Sequence, residues 1–279
     1  MFAAQETISA GLGPVYHAQS CGECHQNPIT GGNSQVLVQR AGNLVNGLFV
    51  DHPGGALIHS RAIDARVQER ILPNNPVRTF RTSLGLHGDG FVEAIADSTL
   101  LAIANAQRAR SLGLIHGEAI MVPVFEAPGQ FRVGRFGHKA QQASLVSFSA
   151  DAYLNEMGIT TPFLPTENTS NSTSVADFDT TADPEDDGQD VQVFARFVRS
   201  LTAPARDEVL AATADAQAGE ALFTAIGCRT RNQFMHDGGM LTLEEAISRH
   251  GGEAALQRLG FAALSNAKRQ RLVKFLLSL

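Results

Sequence analysis

The stretch CGECH, residues 21–25, holds two of the chain's three cysteines and places a histidine directly after the second. This spacing puts two thiols and an imidazole within about one turn of the chain. Groups of these types at such close spacing are typical of a bound metal, a redox pair or a tethered cofactor. Whatever Cys21, Cys24 and His25 hold, the neighbouring chain has to fold around it.

Four interpretations of this stretch compete. A redox dithiol of the thioredoxin kind needs an alternating strand and helix pattern, which the surrounding sequence does not show. A structural zinc site needs four ligands, and the chain has no second cysteine pair; a structural disulfide leaves the adjacent histidine unexplained. Covalent haem attachment uses all three groups, because the thiols form thioethers with the porphyrin vinyls and the imidazole binds the iron. A chance match of the spacing is the alternative to haem.

The composition excludes several classes of protein. With 279 residues, of which 43% are hydrophobic, the chain can bury one large core or two smaller ones. Its net charge of −6 is concentrated in residues 167–190, which hold eight acids and no Lys or Arg. A nucleic-acid partner is not expected, because it selects strongly basic surfaces. No membrane span is expected either, because apolar runs such as Leu100–Ala104 are far shorter than the roughly 20 residues that cross a bilayer.

The pattern of apolar residues predicts a mainly α protein with long irregular loops and few short strands. Residues 1–90 are rich in Gly, Pro and Asn, which predicts loops wrapped around a bound group. From Phe91 the apolar residues recur every three or four positions, which predicts a helix. A second helix is predicted to end at Gly158, and a capping box at Thr242 predicts the start of a later one. Residues 120–127 predict a short extended segment.

The segment 166–190 is polar, acidic and nearly free of large apolar side chains. It buries too little surface to offset the entropy of ordering it, so a solvated linker or loop is predicted there. This linker divides the chain into an N-terminal domain, residues 1–165, and a C-terminal domain, residues 191–279. The predicted haem motif lies in the first of these domains.

Four longer stretches carry a resemblance to a known family. They are GLGPVYHAQSCGECHQNPITGG, LGLHGDGFVEAIADSTLLAIA, VGRFGHKAQQASLVSFSADAYLNEMGITTPFLPTEN and FMHDGGMLTLEEAISRHGGEA. Together they resemble the di-haem oxidoreductase family, often described as thiol oxidoreductases and related to bacterial di-haem cytochrome c peroxidases. The resemblance implies two cytochrome c-like domains with one haem c each, the first on Cys21, Cys24 and His25. It also implies that Glu156 is the distal carboxylate assisting peroxide cleavage, and that His250 stands where relatives place an axial ligand of the second haem.

Two features depart from the family pattern. The family continues LFTAIGC into a second C-x-x-C-H motif, whereas Cys228 is followed here by RTRNQFMHDGG. This difference implies an internal deletion that removed the second haem motif, so that the C-terminal domain is a remnant without its haem. The family also has a tryptophan between the haems where this chain has His138 and no Trp at all. An electron relay between two haems is therefore not expected.

Several residues have an ordinary structural interpretation beside the functional one. Glu156 on its own resembles a solvent-facing residue near a helix end, and His250 a partner of a helix C-terminus. His236 and Asp237 resemble an acid–base pair, but the two glycines that follow them favour a turn. Sequence spacing does not choose the sixth iron ligand. Five histidines are candidates for it: His17, His52, His59, His87 and His116.

Together these features predict a c-type haem-binding oxidoreductase reduced to one haem. It would act on a peroxide, with Glu156 as acid–base, or exchange single electrons with a redox protein. The alternatives are a non-catalytic haem or electron-transfer module and an inactive deletion product. Covalent haem attachment takes place outside the cytoplasm, so we expect a periplasmic location and a sequence that begins inside a longer precursor. The resemblance leaves open a calcium ion between the domains.

Overall fold

The computed structural model describes residues 2–226 and 234–279 of the chain. Helices are its main regular elements, and the strands are antiparallel and mostly short. The prediction of a mainly α fold with a few strands is confirmed in this form. Within the described residues, no helix combines the length and the apolar character that crossing a bilayer requires.

The chain divides into two compact units. The first comprises Met1–Ala102 and Ala119–Ala203, and the second comprises Ile103–Glu118 and Pro204–Leu279. The proposed haem motif and Glu156 both belong to the first unit. The assignment of each unit to a cytochrome c-like domain stays a prediction.

The strands of the first unit form small antiparallel sheets. In chain order they are β1 (Val15–Tyr16), β2 (Leu37–Val45), β3 (Leu48–Asp51), β4 (Arg61–Ala62), β5 (Val77–Thr82), β6 (Met121–Pro123) and β7 (Phe131–Val133). β1 pairs with β4, β2 lies between β3 and β5, and β6 pairs with β7. The short extended segment predicted over 120–127 is therefore present as β6.

The three-stranded sheet lies where the sequence predicts loops, so that expectation is wrong for this part of residues 1–90. β2 and β3 are joined by Asn46 and Gly47, whose φ angles of 52° and 80° make a tight two-residue turn. Asn-Gly is the pair that such a hairpin turn prefers, because both positions need positive φ. The turn holds β2 and β3 in register, with Val45 opposite Leu48.

The helices of the first unit begin with α1 (Cys21–Cys24), α2 (Asp89–Ala94), α3 (Asp97–Arg110), α4 (Leu145–Ala152) and α5 (Gln189–Ser200). The helix predicted from Phe91 is thus two helices, because Ile95 adopts an extended conformation after α2. α3 runs on into the residues of the second unit.

α4 and the residues after it support the candidate site. The Ser144 hydroxyl caps the start of α4 by accepting a hydrogen bond from the backbone N–H of Ser147. A π-helical turn, Tyr153–Met157, continues α4 and ends at Gly158, where φ is 68°. The predicted end at Gly158 is confirmed. Leu145 of α4 and Val191 of α5 are fully buried in the main core of this unit.

Residues 166–190 differ from the predicted solvated linker. They belong to the first unit, and Val175 is buried against Val15 and Val67. The Asn171 side chain also donates to the carbonyl oxygen of Arg70 at 2.8 Å. One well-placed apolar side chain and specific polar bonds therefore order a segment whose average composition suggests solvation.

The second unit contains α6 (Glu208–Ala211), α7 (Ala214–Ile226), α8 (Leu243–Arg249), α9 (Ala255–Ala263) and α10 (Asn266–Leu276). Its core is formed by the buried side chains of Leu243, Ile247, Phe261, Leu272, Phe275 and Leu276. The capping box predicted at Thr242 is confirmed, since Thr242 and Glu245 each bond the other's backbone N–H.

Candidate functional site

Cys21 and Cys24 are free thiols at the two ends of α1. Burial raises the pKa of Cys21 to about 12 and the pKa of Cys24 to about 11, and the charge of Glu156 adds to both shifts. Without a bound metal both thiols are therefore protonated at neutral pH, which does not suit a reactive redox pair. A thioether carries no charge and does suit this setting.

His25 follows α1, and its ring is held by the loop that comes after it. Its Nδ1 lies 3.2 Å from the carbonyl oxygen of Gly32, and the backbone of Leu84 also hydrogen-bonds the ring. Burial lowers the pKa of His25, which favours the neutral ring that binds metals. A histidine that binds a metal through one ring nitrogen usually donates the other N–H to such a carbonyl. The Gly32 carbonyl oxygen therefore orients a neutral ring, as suits a histidine that binds iron.

The loop that positions His25 requires glycine. The backbone N–H of Gly31 donates to the carbonyl oxygen of His25 at 2.8 Å, so the chain turns back on itself. A Cβ atom on Gly32 would lie 2.1 Å from the carbonyl oxygen of Asn27. Any side chain at Gly32 would force this turn open and move the carbonyl that orients the imidazole.

Glu156 lies in the π-helical turn and is tied to the chain that leads into the cysteine motif. Its carbonyl oxygen accepts hydrogen bonds from the backbone N–H groups of His17 at 2.7 Å and Ala18 at 2.9 Å. Burial raises the pKa of its carboxyl group, whereas the charges of Arg40 and His59 lower it. Because Glu156 shifts the pKa of both thiols, the fold brings its carboxylate into electrostatic range of Cys21 and Cys24.

Two of the five candidate histidines have both ring nitrogens engaged. His52 bonds Asn75 through Nδ1 at 2.7 Å and Asn171 through Nε2 at 2.9 Å. His59 bonds Glu69 through Nδ1 at 2.8 Å and the Asn155 carbonyl oxygen through Nε2 at 2.9 Å. Neither ring offers an unoccupied nitrogen as a sixth iron ligand.

The other candidate histidines differ in position. His17 is buried, and its Nδ1 lies 3.0 Å from the Ser60 hydroxyl, which leaves Nε2 as its possible ligand atom. Burial, followed by the charges of His59 and Arg61, lowers its pKa to about 4. His87 lies beside Gly31, next to the loop that holds His25. His116 belongs to the second unit and pairs with Glu253 there.

Comparison with protein families decides the assignment. The chain matches the model of a family described as di-haem oxidoreductase, putative peroxidase, over residues 50–233 and 229–279. The chain belongs to this family. No curated protein and no solved structure matches it. The Cys21–His25 motif precedes the matched residues, so its assignment depends on its own spacing and geometry.

The family match comes in two segments that overlap at residues 229–233, directly after Cys228. This is the place where the sequence predicts that a second haem motif has been lost. Cys228 lies outside the residues that the structure describes. The deletion itself stays a prediction.

The histidines of the predicted second haem region have structural partners. His250 is exposed after α8, and its Nδ1 lies 2.7 Å from the Ala246 carbonyl oxygen. Asp237 pairs with Arg249 at 2.7 Å and accepts a hydrogen bond from the Gly239 N–H, which agrees with the turn expected there. His138 lies in the first unit, where its Nε2 is 3.1 Å from the Thr82 carbonyl oxygen.

Sequence reasoning missed two arginines of the sheet, Arg40 in β2 and Arg81 in β5. Both guanidinium groups have a buried Nε atom without a hydrogen-bond partner, and the charge of Arg40 acts on Glu156. The available signal was the presence of arginines within half-buried strands, which is uncommon unless the charge has a partner. Because the sequence predicts loops for residues 1–90, these arginines could not be recognised as residues of half-buried strands.

The calcium ion that the resemblance leaves open stays a prediction. In the described part of the chain, one group of carboxylates brings its ligand atoms within 4.8 Å of one another: Glu167, Asp179, Asp183 and Glu185. All four belong to the first unit. Burial and the three neighbouring carboxylates raise the pKa of Glu167 to about 8.

Proposed function

We propose that this member of the di-haem oxidoreductase family carries one covalently attached haem c and reacts with a peroxide. Cys21 and Cys24 would form the thioethers, and His25 would be the proximal iron ligand. The observation that carries the proposal is the donor set: two protonated free thiols and an imidazole whose Nδ1 faces the Gly32 carbonyl. These residues fit a haem c and do not fit a reactive redox dithiol, and without a second cysteine pair the chain lacks the four ligands of a structural zinc site.

The bound haem would supply an iron centre that accepts electrons and binds the oxidant. Glu156 would take the proton of an incoming peroxide and return it to the leaving oxygen, an effect worth about 10² to 10⁴ in rate. Burial favours the protonated carboxyl group, and Arg40 and His59 favour the carboxylate. These opposing influences suit a group that has to exchange a proton within one reaction.

A second candidate function is electron transfer without turnover. It is favoured by His17, whose buried ring is neutral at neutral pH and offers Nε2. An iron held by His25 and a second histidine has no position left for peroxide. High-spin, five-coordinate ferric iron would support the peroxidase, and a low-spin form that peroxide does not convert would support the carrier.

The remaining parts of the proposal concern stoichiometry and setting. The chain has one C-x-x-C-H motif, so we expect one haem per chain and no haem in the second unit. Covalent attachment implies a periplasmic location, and a redox protein would be the electron donor. Should the deletion have inactivated the enzyme, the haem would still be attached to the first unit, but peroxide would not react with it.

The proposal is tested by producing the protein in a host that matures c-type cytochromes. The wild type is expected to keep its haem spectrum after acid–acetone extraction, because thioethers do not dissociate in acid. The double variant Cys21→Ala with Cys24→Ala should lose the haem to extraction. Cys228→Ala is the matched control and should keep it. Wild-type protein with extractable haem, or with none, would contradict the proposal.

A further inference from the structure

Two arginines lie side by side on one face of the three-stranded sheet. In the antiparallel pairing of β2 with β5, Arg40 is opposite Thr79 and Arg81 is opposite Val38. Residues two apart on a strand share a face, so Arg40 and Arg81 are diagonal neighbours across the pair. Burial, and then the charge of Arg40, lowers the pKa of Arg81, whereas the charge of Asp51 raises it. Two like charges so placed repel each other.

Neither arginine forms an ion pair with a described residue of the chain. The Nε atoms of both are buried without a hydrogen bond, and within residues 2–226 and 234–279 neither forms an ion pair. Other arginines of the same unit do, such as Arg199 with Glu93. The charge of Asp51 acts on Arg81, and Arg40 acts on Asp151 and Glu156, but none of these acids forms an ion pair with either arginine. Partly buried guanidinium groups without an ion pair are costly, so this pair suits a bound anion.

The pair borders the candidate haem site. Thr82, next to Arg81, donates its hydroxyl to the Ser34 carbonyl oxygen at 2.8 Å, and the Ser34 side chain hydrogen-bonds Cys24. Arg40 acts electrostatically on Glu156. The end of β5 that carries Arg81 therefore adjoins the cysteine motif through Thr82, whose side chain lies on the opposite face of the strand, and Arg40 acts on Glu156 by its charge.

We propose that Arg40 and Arg81 bind the propionate carboxylates of the haem attached at Cys21 and Cys24. This inference rests on the proposed function. Haem c is tethered through its vinyl groups, and its two propionates are the carboxylates that remain ionised. Arginine binds a carboxylate through two parallel N–H groups, so each guanidinium would gain the partner it lacks. The mutual repulsion of the arginines would become attraction to two negative charges.

The test compares Arg40→Gln and Arg81→Gln with Arg78→Gln in haem-loaded protein. Arg78 is a matched control, because it is an exposed residue of β5 whose Nε already bonds the Asn75 carbonyl oxygen. Arginine beside a propionate offsets its negative charge and so favours ferrous iron. Each of the first two variants should lower the equilibrium constant for haem reduction about tenfold, which lowers the midpoint potential by about 59 mV for one electron. Arg78→Gln should leave the midpoint potential unchanged.

Further measurements separate the outcomes. Arg40→Lys and Arg81→Lys keep the charge and should recover part of the potential but not the propionate vibration seen by resonance Raman, because the planar fork is lost. Haem attached in every variant with unchanged potentials would overturn this inference and leave the proposed function intact. Protein without attached haem would overturn both. A wild-type potential that depends on added inorganic phosphate, and loses that dependence in Arg40→Gln, would instead assign the pair to a soluble oxyanion.

Discussion

The proposed chemistry depends on a few single residues, and some of them could be predicted from the sequence. The spacing of Cys21, Cys24 and His25 is by itself enough to indicate haem. The resemblance adds Glu156, and the fold places that carboxylate within electrostatic range of the thiols. Arg40 was not predictable, because its importance depends on an unpaired guanidinium that only the folded sheet reveals.

Replacing Glu156 by glutamine tests its role as acid–base. The variant should lower the rate of the peroxide reaction about 10² to 10⁴-fold and leave the haem content unchanged. Stopped-flow mixing of ferric protein with hydrogen peroxide measures this rate. Asp187→Asn, which changes an exposed carboxylate of the same unit, is the control and should leave the rate unchanged. An equal loss of rate in the two variants would contradict a specific role of Glu156 in the peroxide reaction.

Glu167 gives a prediction about stability and pH. Its pKa rises from 4.5 to about 8 on folding, chiefly through burial. Between these values the folded state binds more protons than the unfolded state, so the unfolding free energy falls as the pH rises from about 4.5 to about 8. Glu167→Gln removes this effect and should stabilise the protein by about 1–2 kcal/mol at pH 8 after allowance for solvent screening.

Urea unfolding at pH 4 and pH 8 measures the effect of Glu167→Gln. At pH 4 both forms of the protein carry a neutral side chain, so their stabilities should be equal within error. Asp187→Asn, an exposed change in the same segment, serves as the control and should not stabilise at either pH. A gain at pH 4 as large as that at pH 8 would contradict the explanation by protonation.

At the scale of secondary-structure elements, the helices were more predictable than the sheet. The helix end at Gly158 and the cap at Thr242 follow from local rules, since one residue type at one position determines each. β2 contains a glycine and several polar residues, which hide the alternation of a half-buried strand. The Asn46–Gly47 turn was the available signal. The π-helical turn around Glu156 depends on packing and could not be predicted.

The cap of α4 connects element stability to the candidate site. Ser144→Ala removes the hydroxyl that accepts from the Ser147 N–H, and it should lower the unfolding free energy by about 1 kcal/mol. Ser144→Gly should cost only a few tenths of a kcal/mol relative to serine. Chemical denaturation of the full chain measures both losses, with the absorption of the attached haem reporting on the unfolding of the first unit. Equal losses for the two variants would show that the cap contributes little.

For the whole molecule, the family and the mainly α class were predictable, whereas the grouping of segments was not. Residues 103–118 belong with the C-terminal unit although they precede the rest of it by more than eighty residues of chain. Residues 166–190 pack into the first unit instead of separating the two. Both features depend on contacts between distant parts of the sequence. Composition averaged over a local segment does not report such contacts.

The central claim is that one haem is attached through Cys21 and Cys24. Intact and peptide mass spectrometry of protein from a host that matures c-type cytochromes tests it most directly. The account predicts a mass increase of one haem per chain, located on the peptide that contains Cys21, Cys24 and His25. Free thiols on that peptide and no added haem mass would contradict the claim.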